Sequence, residues 1–339
     1  MIKTAIKKVV EGDDLTTEEA QEVMDLIMEG NATDAQIAAL LTALRLKGET
    51  IDEITGFARC MRSKAIAVKP KAEFLVDTCG TGGDGADTFN ISTTTAFVVA
   101  GAGVKVAKHG NRSVSSHCGS ADVLEALGIS IDLGPDMVAN CIDQVGIGFL
   151  FAPQLHLAMK HVMPARKETG IRTVFNILGP LTNPAGASAQ VVGVYSDELT
   201  MIIAEVLGNL GTEHALVVHG ANGLDEVSNT GRSIISEVTQ KELKTYSVSP
   251  EDLGMRKAQL YEIKGGSAEE NARILKDVLK GKNGAKRDIV LLNTAAALIA
   301  ADQASGWAEG IEKAVRSIDG GNAMRRLDEL ISYTKACKR

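Results

Sequence analysis

Four glycines within six residues, followed by an asparagine and a run of hydroxyls, mark the segment Asp77 to Thr95 (DTCGTGGDGADTFNISTTT). Gly80, Gly82, Gly83 and Gly85 permit positive φ and let backbone N–H groups approach a ligand, while Ser92, Thr93, Thr94 and Thr95 bring hydroxyls to a helix start. These are the requirements of an anion site. The spacing fits neither GxGxxG nor GxxxxGK[ST], because no lysine follows the last glycine. Asp77, Asp84 and Asp87 would repel a bare phosphate, so the expected ligand is a phosphate accompanied by a divalent cation or a ribose hydroxyl. The plainer alternative is a loop that only turns, which needs one or two glycines rather than four plus Asn90.

A phosphate site where negative charge grows needs N–H donors, a cation and a metal. Lys108 fits the cation, and Ser115, Ser116 and Ser120 can add hydroxyl donors, with Ser120 also expected to cap the helix carrying Leu124 and Leu127. Asp225 and Glu226 lie in the glycine-flanked run HGANGLDEVSN, and adjacent carboxylates suit Mg2+. Taken alone, the lysine could be solvated and the acidic pair could be ordinary surface.

These residues need a scaffold. From Ile2 to about Lys64 apolar positions recur at helical spacing, and Thr16 with Glu19, Thr33 with Gln36 and Thr50 with Glu53 read as capping boxes, giving four helices. This module either caps a larger domain or forms a dimer surface. Lys64 to Lys71 is a short basic connection with one proline. Apolar runs then alternate with amphipathic helices. Strands are expected at Leu75 to Asp77, Val104 to Ala107, Gly148 to Phe151, Gln190 to Val194, Ala215 to Val218 and Ile234 to Val238. The fold class is therefore α/β: a small all-helical N-terminal domain plus a large α/β domain with a central, mostly parallel sheet flanked by helices, and the ligand at the strand ends. Helical spacing returns from about His156 to Arg166, and after Ser267, which pairs with Glu270 as another capping box, the chain is largely helical.

The 339 residues, 45 % of them apolar, leave room for two domains. A net charge of -7 without a basic block argues against nucleic acid or an anionic membrane as partner. The five cysteines are scattered without CxxC spacing, which suits reduced thiols in a cytoplasm. The start MIKTAIKKVV is too charged for a signal sequence, and no apolar stretch is long enough to cross a membrane.

The glycine segment, the run Lys108-His109-Gly110-Asn111-Arg112-Ser113-Val114-Ser115-Ser116, Arg166, the run Asn176 to Pro184 (NILGPLTNP) and Asp225-Glu226 together resemble the anthranilate phosphoribosyltransferase family of tryptophan biosynthesis. The likeness spans essentially the whole chain. It implies transfer of a phosphoribosyl group from 5-phosphoribosyl diphosphate to the amine of anthranilate, with Mg2+ at Ser92, Asp225 and Glu226. Substrate contacts implied by the resemblance are Gly80, Gly82, Gly83, Asp84, Thr88, Asn90, Ile91, Ser92, Thr93, Lys108 to Ser116 and Ser120, with Arg166 and Asn111 on the anthranilate. Lys108 and Arg166 would stabilise the transition state. An aromatic amine has a free lone pair and needs no general base, so His109 and His156 are expected to shape the acceptor site or to pack, and Cys79 and Cys118 to fit sterically. The resemblance also implies a homodimer through the helical domain, residues 1–70, completed by helices from about 156–185, with 71–339 binding the donor. Alternatives are a pyrimidine nucleoside phosphorylase, whose lysine loop resembles Lys-His-Ser instead, and a non-catalytic binding paralogue.

Overall fold

Residues 1–113 and 118–337 are described by a computed structural model of the chain. The N-terminal helices α1 (Ile2–Val10), α2 (Thr17–Met28), α3 (Asp34–Lys47) and α4 (Ile51–Lys64) follow the apolar periodicity. Thr16, Thr33 and Thr50 each accept the N–H three residues on, and Glu19, Gln36 and Glu53 accept the cap N–H in return. Each box thereby satisfies two donors that a helix start would leave orphaned. Glu53, wholly buried, also accepts the Leu15 N–H at 3.0 Å and pairs with Lys47 at 3.1 Å, which ties α4 to the start of α2 and the end of α3.

The strands β1 (Val76–Gly80), β2 (Val106–Gly110), β3 (Ile147–Phe151), β4 (Ala189–Gly193), β5 (His214–His219), β6 (Ser233–Thr239) and β7 (Leu243–Val248) form one sheet in the order β3-β2-β1-β4-β5-β6-β7. β1 to β5 run parallel, and β6 and β7 are added antiparallel. The parallel strands alternate with α5 (Ile91–Gly101), then α6 (Ser120–Ala126) and α7 (Pro135–Val145), then α8 (Ala152–Leu155), α9 (Met163–Thr169) and α10 (Phe175–Leu178), then α11 (Glu198–Asn209). The chain ends in α12 (Ala268–Leu279), α13 (Ala285–Ala300), α14 (Trp307–Asp319) and α15 (Asn322–Ala336).

From β1 the chain winds outward to β2 and β3, then returns to lay β4 on the other side of β1. This reversal opens a crevice beyond the carboxyl ends of β1 and β4, the position where parallel sheets bind ligands. The almost wholly buried helices α5 and α13 pack on each other beneath α14 and α15. A second apolar core joins α1 to α4 with Val162, Ala165, Phe175, Leu178 and Leu181 and continues through α11 onto Val192 and Val217 of the sheet. Arg62 crosses that junction, donating to Leu181 O at 2.6 Å and Leu210 O at 3.2 Å, and burial pushes its guanidinium down to about 10.

Several expected boundaries move. β1 runs on to Gly80 and β2 to Gly110, so Lys108, His109 and Gly110 are strand residues rather than loop residues. The apolar pattern stops early because Asp77, Lys108 and His109 are buried polar residues. Asp77 therefore lies inside the sheet and does not confront a phosphate. Ser120 is the first residue of α6 and not its cap; Gly119 holds that position, its N–H bound by Asp122 at 2.8 Å. The stretch from His156 to Arg166 is a short 3-10 turn followed by α9, and β7, an edge strand of alternating polar residues, has no expected counterpart.

Candidate functional site

Gly80 and Gly193 are paired in register at the ends of β1 and β4. Both lack a side chain because the loop after β5 lies across them: a Cβ on Gly80 would overlap the Asp225 carboxylate, and one on Gly193 would overlap the Asp225 backbone. Asp225 Oδ2 accepts the Gly82 N–H at 2.8 Å. Gly82 and Gly83 hold φ of 67° and 74°, values that only glycine adopts without strain. The donor loop and the carboxylate pair thus meet at the switch point. Asn293 of α13 fixes the far end of the acidic loop, accepting Val227 N–H and donating to Val227 O, both at 2.9 Å.

Charge at this point is unbalanced. Burial, and then Asp84, push the Asp225 carboxyl up to about 6. Burial, and then Asp225, push Glu226 well above the usual carboxylate range, while Lys108 and a hydrogen bond from the Ser92 backbone pull it back. Crowded acids with raised pKa values are in the electrostatic state that a divalent cation would relieve. Among the described residues no three His, Cys, Asp or Glu side chains form a metal cage. A carboxylate pair without a cage fits Mg2+, which keeps waters and takes its other ligands from substrate phosphates.

Lys108 is buried, its Nζ donating to His109 O at 3.2 Å, and its charge offsets both Glu226 and Asp77. Asp77 accepts His109 N–H at 3.1 Å and Asn183 Nδ2 at 2.7 Å, so one buried carboxylate braces the lysine strand against the NILGPLTNP turn. Asn90 donates to Cys118 O at 3.1 Å and accepts from Asn271 at 3.0 Å, joining the glycine loop to the segment before α6 and to α12. Thr88 bridges to Lys264, Ser92 O accepts the Thr78 hydroxyl at 3.1 Å, and Ile91 and Thr93 are buried. Asp84 Oδ1 accepts Ala86 N–H at 3.1 Å. Asn111 accepts the Ser120 hydroxyl on its backbone oxygen and the Arg112 N–H on its side chain. Arg112 is committed elsewhere: its guanidinium pairs with Asp122 at 3.0 Å and Glu125 at 2.5 Å on α6, and Asp122 also binds Ser113 N–H. Val114, Ser115 and Ser116 lie outside the described residues.

Arg166 projects from α9 over the Phe175 ring at 5.4 Å, and partial burial lowers its pKa. The rings of His109 and His156 lie 5.1 Å apart, pushed down to about 3 and about 4, chiefly by burial. Both are neutral near pH 7, with Nε2 of each buried and unpartnered among the described residues. Burial raises the thiols of Cys79 and Cys118, the latter to about 11, so neither is a thiolate nucleophile. Sequence reading missed Asn183, Arg172 and Asn293. Asn183 had a local signal, an Asn-Pro step whose side chain accepts Ala185 N–H at 2.9 Å; Asn293 and Arg172 act across the fold.

A glycine loop held against a crowded carboxylate pair at the switch point of a parallel sheet suits an enzyme that handles a phosphorylated sugar, and the relatives of the chain are glycosyl transferases. Residues 72–324 match the family described as "Glycosyl transferase family, a/b domain", and residues 3–65 match "Glycosyl transferase family, helical bundle domain". The chain is 57 % identical over 333 residues to the anthranilate phosphoribosyltransferase of Symbiobacterium thermophilum, covering 98 % of each. It is 59 % identical over 334 residues to that of Pelotomaculum thermopropionicum, covering 98 % of this chain and 97 % of the relative. The crystal structure of the Thermus thermophilus enzyme superposes with a TM-score of 0.93 at 44 % identity, covering 98 % of this chain and 99 % of that one. The Saccharomyces cerevisiae enzyme in complex with PRPP and Mg gives 0.90 at 31 % identity, covering 99 % and 98 %. The chain belongs to the anthranilate phosphoribosyltransferase family.

Proposed function

We infer that this chain transfers the phosphoribosyl group of 5-phosphoribosyl diphosphate to the amine of anthranilate, giving N-(5-phosphoribosyl)anthranilate and diphosphate in tryptophan biosynthesis. The observation that carries the reading is the convergence of the glycine loop, Lys108 and the Asp225-Glu226 pair at the β1/β4 crevice, within a chain so close to its relatives. Ser92, Asp225 and Glu226 would hold Mg2+, which when bound neutralises charge on the diphosphate. The loop amides of Gly83 to Gly85 and the buried Lys108 take the growing negative charge, and Arg166 with Asn111 orients the anthranilate carboxylate. With His109 and His156 neutral, the amine attacks through its own lone pair. Catalysis is positioning and electrostatics.

We propose residues 1–70 and 71–339 as the two domains, with 156–185 completing the first; its apolar contacts with α1 to α4 support this. We also propose a homodimer through this lobe. Val10 of α1 and Leu46 of α3 are 68 % and 83 % exposed beside a groove lined by Ala38, Ala39 and Thr42, and sedimentation tests it. Five free cysteines support a cytoplasmic location.

The purified chain mixed with anthranilate, 5-phosphoribosyl diphosphate and Mg2+ should quench anthranilate fluorescence with time. Unchanged fluorescence together with phosphate-dependent cleavage of a pyrimidine nucleoside would replace this reading by the phosphorylase alternative.

A further inference from the structure

Arg172 lies in the short connection between α9 and α10, four residues before Asn176. Gly170 ends α9 in the left-handed conformation, and Asn176 Oδ1 accepts Thr173 N–H at 2.9 Å, so the connection is fixed on both sides of Arg172. From there the guanidinium lies over the Tyr195 ring at 4.6 Å, just beyond the end of β4, and donates to Gly83 O in the glycine loop. Tyr195 forms the floor, the loop carbonyl forms the target, and no carboxylate of the described residues pairs with this arginine.

The consequence for the loop follows from peptide geometry. The Gly83 carbonyl and the Asp84 N–H belong to one planar trans unit and point in opposite directions, so holding the oxygen fixes the direction of the N–H. Gly82 and Gly83, at φ of 67° and 74°, carry no side chain to restrict that plane, and Arg172 holds it from outside the loop. A Cβ at Gly83 would stand 3.0 Å from the Arg172 guanidinium, so the arginine would have to shift to admit it. The same arginine is six residues from Arg166, on the helix proposed to bind the acceptor.

We propose that Arg172 is a positioning residue, a strut stacked on Tyr195 that orients the Gly83–Asp84 peptide for the donor diphosphate and ties the donor loop to the acceptor helix. This rests on the proposed function. A planar, multiply donating cation suits the task because it stacks and donates at once; lysine would offer a point charge without the stacking plane.

The test is calorimetric titration of 5-phosphoribosyl diphosphate with Mg2+, and separately of anthranilate, into the wild-type chain, Arg172→Ala and Arg172→Lys, with a thermal melt of each. The wild type binds; Arg172→Ala loses roughly tenfold in donor affinity, the scale of a charge-assisted hydrogen bond. Arg172→Lys, which keeps the charge without the stacking plane, recovers little of that loss. A merely structural arginine would lower the melting temperature and weaken both substrates alike. Should Arg172→Ala melt early, Tyr195→Leu removes the floor instead, and donor affinity should still fall by roughly two- to fivefold. Wild-type affinity in Arg172→Ala or Tyr195→Leu overturns the strut. Wild-type donor affinity in Arg172→Lys overturns it in favour of direct charge attraction to the donor. No binding by the wild type overturns the proposed function itself.

Discussion

Two polar clusters lie near opposite ends of β5, and their electrostatics differ in sign. At its start, His214 is hydrogen-bonded to Glu237 and to Asp302, both at 3.1 Å, and Glu237 also accepts the Tyr246 hydroxyl at 2.8 Å. Burial opposes charge on His214, yet its carboxylate partners outweigh burial and raise its pKa; the bond from His214 and then burial act on Glu237, with the net result lowered. Beyond the other end, Asp225 and Glu226 are driven toward the neutral form, chiefly by burial, with Asp84 adding to it at Asp225 and Asp225 adding to it at Glu226. The first cluster satisfies itself and pins the β6–β7 hairpin to the sheet. In the second, Lys108 offsets only part of the negative charge, and groups held away from their ordinary charge state in a crevice mark a site that a ligand completes.

The comparison breaks most readily at the second cluster. Asp225→Asn with Glu226→Gln should cut turnover roughly a hundredfold or more at saturating Mg2+, since transition-state charge loses its partner. Its melting temperature should hold or rise, because the substitutions remove crowded acids; an unfolded variant would refute that part. Arg166→Ala should raise the anthranilate KM by about ten- to a hundredfold, the loss of one charge-assisted contact, with the donor KM little changed. Equal rises in both constants would move Arg166 out of the acceptor site.

Glu237→Gln gives the smallest catalytic effect: kinetic constants unchanged, stability lowered by about 1–3 kcal/mol. Its pH dependence sharpens the contrast. Glu237, held below its ordinary 4.5, contributes above that pH and loses the contribution as pH falls through its folded value. His214, held above 6.5, contributes fully below that pH and loses the contribution as pH rises through its folded value. The advantage of wild type over variant in urea melts should therefore peak between 4.5 and 6.5. His109 and His156, depressed to about 3 and about 4, work the other way: their contribution is present above 6.5 and is lost in acid.

Local signals were legible in the sequence. The capping boxes, the glycine loop and the acidic pair each depend on neighbours within a few residues, and the four N-terminal helices form where those signals place them. Strand ends were not legible at Asp77, Lys108 and His109, because a buried polar residue with a distant partner such as Asn183 looks like a loop residue until the fold supplies that partner. β7 escaped notice because Leu243 to Val248 is an edge strand whose polar residues face water. Arg172 had no local signal, since both its contacts, Gly83 and Tyr195, come from other elements.

The central claim is that the crowded pair at the β1/β4 crevice binds the donor only when a divalent cation balances it. Calorimetric titration of 5-phosphoribosyl diphosphate into wild type and into Asp225→Asn/Glu226→Gln, each with Mg2+ and with chelator, tests it directly. The account predicts donor binding by the wild type that collapses in chelator, and weak binding by the double variant that Mg2+ does not restore. Wild-type affinity in the double variant, with Mg2+ present, would contradict it.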